Sequence, residues 1–374
     1  MDKSPVIKIA FARDAAKGRG TATGPGNRFA AWQREAVDDG WSELADIDQA
    51  EPAPLKTRVT ARPAKSIISR NQSPDLPFTQ SINPYYGCEH GCVYCYARPS
   101  YAYWDLSPGL DFETQLFAKT NAAELLRQEL AHPSYQCSAI SLGANTDCYQ
   151  PVEREWRITR EVLEVLAECH HPVGIVTKSA LVERDLDLLG AMAQQGLVKV
   201  YVSLGTLNPE LARRLEPRAA APHRRLRVIE TLAKAGVPVG VLVAALIPGL
   251  NDQDLEAALD AASQAGAGEA SYVLLRLPLE LKEVFRDWLQ THVPERAAHV
   301  MSLIRQSRGG KDYDADWSQR MTGTGVFAQL IAQRFSKACA RLGLNQRRYP
   351  LNTAQFRAPQ LLQPARSDAQ QSLF

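Results

Sequence analysis

Cys88, Cys92 and Cys95 are the residues whose types and spacing most directly imply chemistry. They stand in the segment NPYYGCEHGCVYCYARPS with the spacing C-x3-C-x2-C, inside an eight-residue stretch. Thiolates are strong ligands for iron–sulfur clusters. Each iron of such a cluster needs its own sulfur ligand. Three cysteines on so short a loop reach three irons and leave a fourth open, and an open position separates a catalytic metal site from a closed structural one. Gly87 and Gly91 let the backbone wrap closely around a bulky inorganic core. Zinc would need a fourth ligand, and His90, inside the loop, is poorly placed to provide it.

The rest of the composition fits a metal site. Seven cysteines is an odd number, and the opening residues MDKSPVIKIAFARDAAKGRG hold no apolar core long enough for a signal peptide. Metal binding or free thiols are therefore expected rather than a disulfide framework, with Cys137, Cys169 and Cys339 as buried free thiols. The longest apolar run, Val237 to Leu250, has 14 residues and is broken by two prolines and two glycines, too short for a membrane span. A cytoplasmic protein is expected, with no membrane partner. Net charge is +2 and 45% of residues are apolar, so a sizeable core forms and overall charge does not force a nucleic-acid reading.

The elements that must position the loop follow from periodicity. From Gln80 onward, short apolar runs alternate with helical stretches. Strands are expected at Thr79 to Asn83, Ser138 to Leu142, Val173 to Thr177, Val198 to Leu204, Val239 to Leu246 and Tyr272 to Leu277. Helices are expected at Asn121 to Leu130, Glu153 to Cys169, Leu181 to Gln195, Pro222 to Ala235, Asp252 to Ala265, and from Leu279 to about Thr291. These make six β-then-α units, and right-handed crossovers give a parallel sheet covered on both faces. A doubly wound sheet and a curved, incomplete barrel both fit this order. In a barrel the chemistry sits just after each strand.

Ahead of this block, residues 1–75 read as a partly basic, flexible extension, with GRGTATGPGN as an arm. Lys56 to Arg70 holds five basic residues and no acidic one, as a solvated lead-in or an arm touching an anionic substrate. Residues 76–295 form the main domain, residues 296–355 a helical extension that includes Gly325 to Leu342, and residues 356–374 an irregular tail. Arg334 to Arg357 carries six basic residues and no acidic one.

The loop C-x3-C-x-aromatic-C, with Tyr94 as the aromatic, resembles the signature of the radical S-adenosylmethionine (radical SAM) enzymes. Within them, NP-x-x-GC-x-x-x-C-x-YCYA and the later Thr177-Lys178-Ser179 resemble the spore photoproduct lyase branch, the DNA repair photolyases, over about Phe78 to Leu277. The resemblance implies a partial (β/α)6 TIM-like barrel with a [4Fe–4S] cluster on Cys88, Cys92 and Cys95. It implies S-adenosylmethionine as cofactor, a reductant such as flavodoxin or ferredoxin, and hydrogen-atom abstraction from a substrate that in this branch is nucleic acid. It further implies that Asn145 and Thr146 meet the amino-acid end of S-adenosylmethionine and that Lys178 binds its carboxylate. Ser203 would contact the ribose or carboxylate, and Gly249 and Tyr94 would lie at the adenine.

Each of these has a plainer reading. Asn145 and Asp147 can cap a turn, Ser203 can bond its own backbone, and Tyr94 can pack in the core. Arg213, Arg214, Arg218, Arg224, Arg225 and Arg227 cluster around a single acid, Glu216, after the fourth expected strand. A solvated helix face suits most of them, and a phosphate grip suits Arg218, which lies in a loop. In the photoproduct lyases a tyrosine and a cysteine relay a hydrogen atom back to product. Tyr96 stands in place of the tyrosine, whereas Ala144 falls at the cysteine's position and Cys148 is the nearest thiol. A different class of reading is a nucleic-acid-binding or electron-transfer protein that keeps a structural cluster or zinc.

Overall fold

The computed structural model describes residues 18–21, 26, 28–29, 55–347 and 349–360. Ten strands are present among them: β1 (Arg58–Ala61), β2 (Ile68–Arg70), β3 (Gln80–Ile82), β4 (Tyr85–Tyr86), β5 (Gln115–Ala118), β6 (Ile140–Leu142), β7 (Val173–Thr177), β8 (Val198–Ser203), β9 (Val239–Leu246) and β10 (Glu269–Leu274). The main sheet has the order β10-β9-β8-β7-β6-β3-β2. Every pair from β3 to β10 is parallel, and β2 joins β3 antiparallel. The six parallel strands follow chain order without reversal. A doubly wound sheet reverses its order at a switch point, so this is a partial (β/α)6 barrel.

The strands are apolar because helices cover them. Val173, Ile175, Val200, Val202, Val241 and Val243 are fully buried. The barrel has two open edges. On the β10 side, Asn345 exchanges side-chain hydrogen bonds with both backbone groups of Ala270 (2.8 and 3.0 Å), and the Leu274 amide donates to the Met321 carbonyl (2.9 Å). The C-terminal segment thus covers an edge that would otherwise be free to pair.

A second sheet, β1-β5-β4, lies beside the barrel. It includes part of the basic stretch Lys56 to Arg70, which therefore contributes two strands, β1 and β2. The basic stretch from Arg334 onward is also engaged. The helix Gly325–Leu342 carries Arg334 and Arg341 to Glu256 and Asp260 of the helix Leu255–Gln264. The expected arm and tail otherwise fall on residues 1–17, 22–25, 27, 30–54 and 361–374, outside the described residues.

Three departures of the elements from the periodicity have a clear physical cause. The helix expected from Glu153 to Cys169 is broken at Arg157, whose φ is 52°. Glu153 causes the restart: its carboxylate accepts from the amides of Thr159 (3.0 Å) and Arg160 (3.3 Å), capping the helix Ile158–Glu168. The helix expected from Leu181 opens instead with a 3-10 turn, Ala180–Asp185, before Leu186–Gln194. The last strand lies three residues earlier than its apolar run. Its first residue, Glu269, is buried because Lys199 (3.2 Å) and the Tyr201 hydroxyl meet its carboxylate. Of the three cysteines expected as buried thiols, Cys169 and Cys339 are buried, and Cys137 is half-buried.

Arg157 is exposed and sits in the left-handed region, where a side chain costs about 1 kcal/mol or more. Arg157→Gly should raise stability to urea by up to about 1 kcal/mol, while Arg157→Val should lower it. Equilibrium denaturation of the two variants checks this.

Candidate functional site

The C-terminal ends of β3 and β6 to β10 share one rim, and the chain leaving β3 passes through the short strand β4 into the cysteine loop. Both loop glycines are geometrically required. Gly87 has φ 75°, and a Cβ there would lie 2.1 Å from the Tyr101 hydroxyl; Gly91 has φ 68°, and a Cβ there would lie 2.8 Å from Glu113 Oε2. Cys88 and Cys92 are buried, Cys95 is half-buried, and all three are free thiols. Burial pushes all three up from the ordinary thiol value, and neighbouring thiols add to the shift at Cys88 and Cys92. Lys178 acts the other way on Cys92 and Cys95, and Arg98 on Cys95, as cations near thiolates do.

Three thiols on one loop, with cations beside them, are the donor set that an iron–sulfur cluster needs. Among the described residues, no three His, Cys, Asp or Glu side chains close around a point as the ligands of a single ion do. His90 does not complete a zinc site; its Nδ1 faces Asp147 at 3.3 Å.

The loop is held from below by Arg98, whose side chain is fully buried. Its Nε donates to the Cys92 carbonyl (2.9 Å), Nη1 to the carbonyls of Pro108 (3.1 Å) and Gly109 (2.9 Å), and Nη2 to the Gly91 carbonyl (3.1 Å) and Glu113 Oε1 (2.6 Å). All five guanidinium donors are used. Glu113, also fully buried, in turn accepts from the Gly20 amide (2.9 Å) and the Thr21 hydroxyl (3.2 Å). Gly18–Thr21, part of the expected flexible arm, is therefore docked on the cysteine loop. The approach is so close that a Cβ on Gly20 would stand 1.8 Å from the Gly91 carbonyl oxygen.

Asp147 joins three rim loops. Its Oδ1 accepts from the Tyr149 amide (2.9 Å) and the Thr177 hydroxyl (2.8 Å), and its Oδ2 from the Lys178 amide (2.7 Å) while facing His90. Desolvation pulls this carboxyl up. The His90 ring and the amides of Lys178 and Tyr149 outweigh that and hold it at about 2.

The structure brings most of the residues expected at the site to the rim. Lys178 reaches over the Tyr94 ring, its Nζ 5.9 Å from the centroid. Tyr94 is buried, with its hydroxyl donating to Glu216, whose other oxygen pairs with the buried Arg225. The Asn145 amide donates to Asn83 Oδ1 (2.8 Å), leaving its side chain on the rim loop, whereas the Thr146 hydroxyl is turned inward to the Tyr85 carbonyl (2.8 Å). The Ser203 hydroxyl donates to the Ala244 carbonyl (3.0 Å). Gly249 has φ 72° and its amide is bound to Asp252 (2.7 Å).

Other residues are not brought to the rim as free groups. Arg218 is paired with Glu89 (2.7 Å), Arg214 with Glu210, Arg224 with Glu183 and Arg225 with Glu216. Cys148 is fully buried in the main core, its sulfur beneath Gly143. Tyr96, directly after Cys95, is 41% exposed, and its hydroxyl donates to the Ala144 carbonyl. Periodicity did not single out Arg98, Glu113 or Glu216 as parts of this site. Glu216 showed only as the single acid of the arginine cluster, and nothing local marks Arg98 or Glu113 as buried.

The chain combines a partial parallel barrel with a three-cysteine loop at its rim. Residues 82–262 match the model of the radical SAM superfamily. An uncharacterized protein of Mycobacterium tuberculosis is 39% identical over 290 residues, covering 74% of this chain and 85% of that protein. An uncharacterized protein of Methanocaldococcus jannaschii is 26% identical over 189 residues, covering 50% and 68%. Spore photoproduct lyase, solved with a dinucleoside spore photoproduct, shares the fold with a TM-score of 0.51 at 13% identity, covering 76% of this chain and 80% of that one. The chain belongs to the radical SAM superfamily, and is an enzyme whose cofactors are a [4Fe–4S] cluster and S-adenosylmethionine.

Two predictions follow from the buried charges. Glu113→Gln removes one member of a fully desolvated pair and should cost about 3–5 kcal/mol, with faster loss of iron to a chelator than in the parent protein. Asp147 has a depressed carboxyl, so its contribution is present above the ordinary carboxylate value and is lost as pH falls toward about 2. The stability difference between the parent and Asp147→Asn should therefore be about 2 kcal/mol at neutral pH and shrink steadily below about pH 4. Urea titrations at stepped pH measure it.

Proposed function

We propose that Cys88, Cys92 and Cys95 ligate the cluster, that Lys178, Asn145 and the loop at Gly249 hold S-adenosylmethionine beside it, and that the substrate enters the rim next to Tyr96. One observation carries the reading: three free thiols lie together on a loop shaped by two left-handed glycines, at the C-terminal mouth of a parallel barrel. When bound, the two cofactors supply reductive sulfonium cleavage and a 5′-deoxyadenosyl radical that abstracts a hydrogen atom.

The chain's own residues do the rest. Arg98 fixes the carbonyls of Gly91 and Cys92 and so sets where the thiols point. Lys178 offers a cation at the end of β7, suited to a carboxylate. Apolar residues behind the rim, including Leu215, Ile247 and Leu277, exclude water from the place where a radical must survive. Electrons come from an external one-electron donor of the flavodoxin or ferredoxin kind, which puts the protein in a reducing, cytoplasmic setting.

The substrate is a molecule that presents a C–H bond at the mouth. Nucleic acid as its class draws support from the dinucleoside held by the lyase of the same fold. A tyrosine–thiol relay draws no support, because Ala144 stands at the thiol's position and Cys148 is buried.

The test is anaerobic cluster reconstitution followed by dithionite. The parent protein should hold about four irons and release 5′-deoxyadenosine from S-adenosylmethionine. Cys88→Ser, Cys92→Ser and Cys95→Ser should each abolish the release. Retention of cofactor cleavage in any of the three would sink the assignment.

A further inference from the structure

We infer that Arg276 anchors an oxyanion of the substrate, a phosphate or a carboxylate, at the barrel mouth. Arg276 follows β10 by two residues, and the preceding amide, that of Leu275, still donates to the Leu246 carbonyl (2.9 Å) at the end of β9. The side chain therefore leaves the sheet at its C-terminal rim. Its guanidinium lies over the Tyr96 ring, 4.7 Å from the centroid. Tyr96 is bonded to the cysteine that closes the triad, and its hydroxyl reaches the loop after β6. A group held by Arg276 would thus sit between the cysteine loop and the opposite wall of the barrel. This placement rests on the mouth being the substrate's end, as proposed above.

The hydrogen bonding of Arg276 sets it apart from the arginines around it. Its Nη1 meets only the thioether of Met321 (3.7 Å), a weak acceptor, and its buried Nε–H has no acceptor among the described residues. Arg98, Arg218, Arg224, Arg225 and Arg320 each have a carboxylate partner. Nearby, Arg320 takes both oxygens of Asp75 (2.5 and 2.7 Å), and the buried Arg308 is committed to the carbonyls of Leu275 (2.8 Å) and Gln319 (2.8 Å). The end of β10 therefore carries more positive than negative charge.

A buried donor left without an acceptor is destabilising, because its desolvation is not repaid. An anion with two oxygens removes that cost by accepting from Nε and one Nη of a planar guanidinium. The Tyr96 ring face attracts the cation and keeps it at this position on the rim.

The experiment follows the modification of single arginines by phenylglyoxal in the cluster-loaded full-length protein, with peptide mapping by mass spectrometry. Inorganic phosphate, acetate and chloride are compared at equal ionic strength, with the exposed Arg213 as internal reference. Phosphate or acetate at about ten times its dissociation constant should slow modification of Arg276 about tenfold relative to chloride and leave Arg213 unchanged. The stronger of the two protectors names the substrate's anionic group. No slowing at Arg276 relative to chloride, or equal slowing at Arg213, overturns the inference. Failure of 5′-deoxyadenosine release with protection intact would count against the proposed function and not against this site.

Discussion

The cysteine loop of this protein depends on one buried guanidinium. Arg98 places all five of its N–H donors on the loop's own carbonyls, on the turn at Pro108 and Gly109, and on Glu113. A loop with two glycines in left-handed conformation is not self-supporting, since glycine has the most backbone freedom to lose on ordering. A buried ion pair is a poor source of net stability, because desolvation cancels much of the attraction. Its use here is directional: a planar fork meets several carbonyls in fixed geometry, as an ammonium group cannot. Glu113 then transmits the constraint to Gly20 and Thr21, so a segment some ninety residues away in the chain is drawn under the thiols.

The same device recurs around the rim. Asp147 links the loops after β6 and β7 to the cysteine loop through His90. Glu216, with Arg225, receives the Tyr94 hydroxyl from the cysteine loop. Each is a charged group desolvated by the fold and compensated by partners from other elements. Rim loops are exposed backbone with few apolar contacts of their own, so polar ties must fix their geometry. This accounts for the absorption of most of the arginine cluster after β8. Those side chains carry internal carboxylates rather than an external phosphate.

What was legible in the sequence, and what was not, divides along the same line. The three thiols were legible because their spacing is local. The strands β7 and β9 were legible to the residue because polar Thr177-Lys178 closes one apolar run and Pro248-Gly249 breaks the other just past Leu246. Lys178, Asn145 and Ser203 could be placed at the rim because they lie at or just past the ends of β7, β6 and β8. Arg98 and Glu113 could not be read as a buried pair. A charge in sequence looks solvated until the fold supplies its partner, and here the other acceptors are backbone carbonyls. Glu269 is the same case within a strand: its burial depends on Lys199 and Tyr201 of a neighbouring strand, and without them the apolar run appears to begin at Tyr272. The restart at Arg157 was hidden because Glu153 caps the next helix with its side chain while the hydrophobic periodicity runs on.

The wall facing the cysteine loop bears on the chemistry. The tyrosine that follows the third cysteine gives its hydroxyl hydrogen to the Ala144 carbonyl, and the nearest thiol in sequence, that of Cys148, faces the core. Arg276 stands against the same phenol with an unsatisfied donor. Position of the hydrogen donor and position of the substrate's charge are separate choices in a barrel of this kind, since each comes from the end of a different strand. The Tyr96 ring lies against the Arg276 guanidinium and its hydroxyl is tied to the loop after β6, so the cysteine loop, the end of β6 and the end of β10 meet at one side chain.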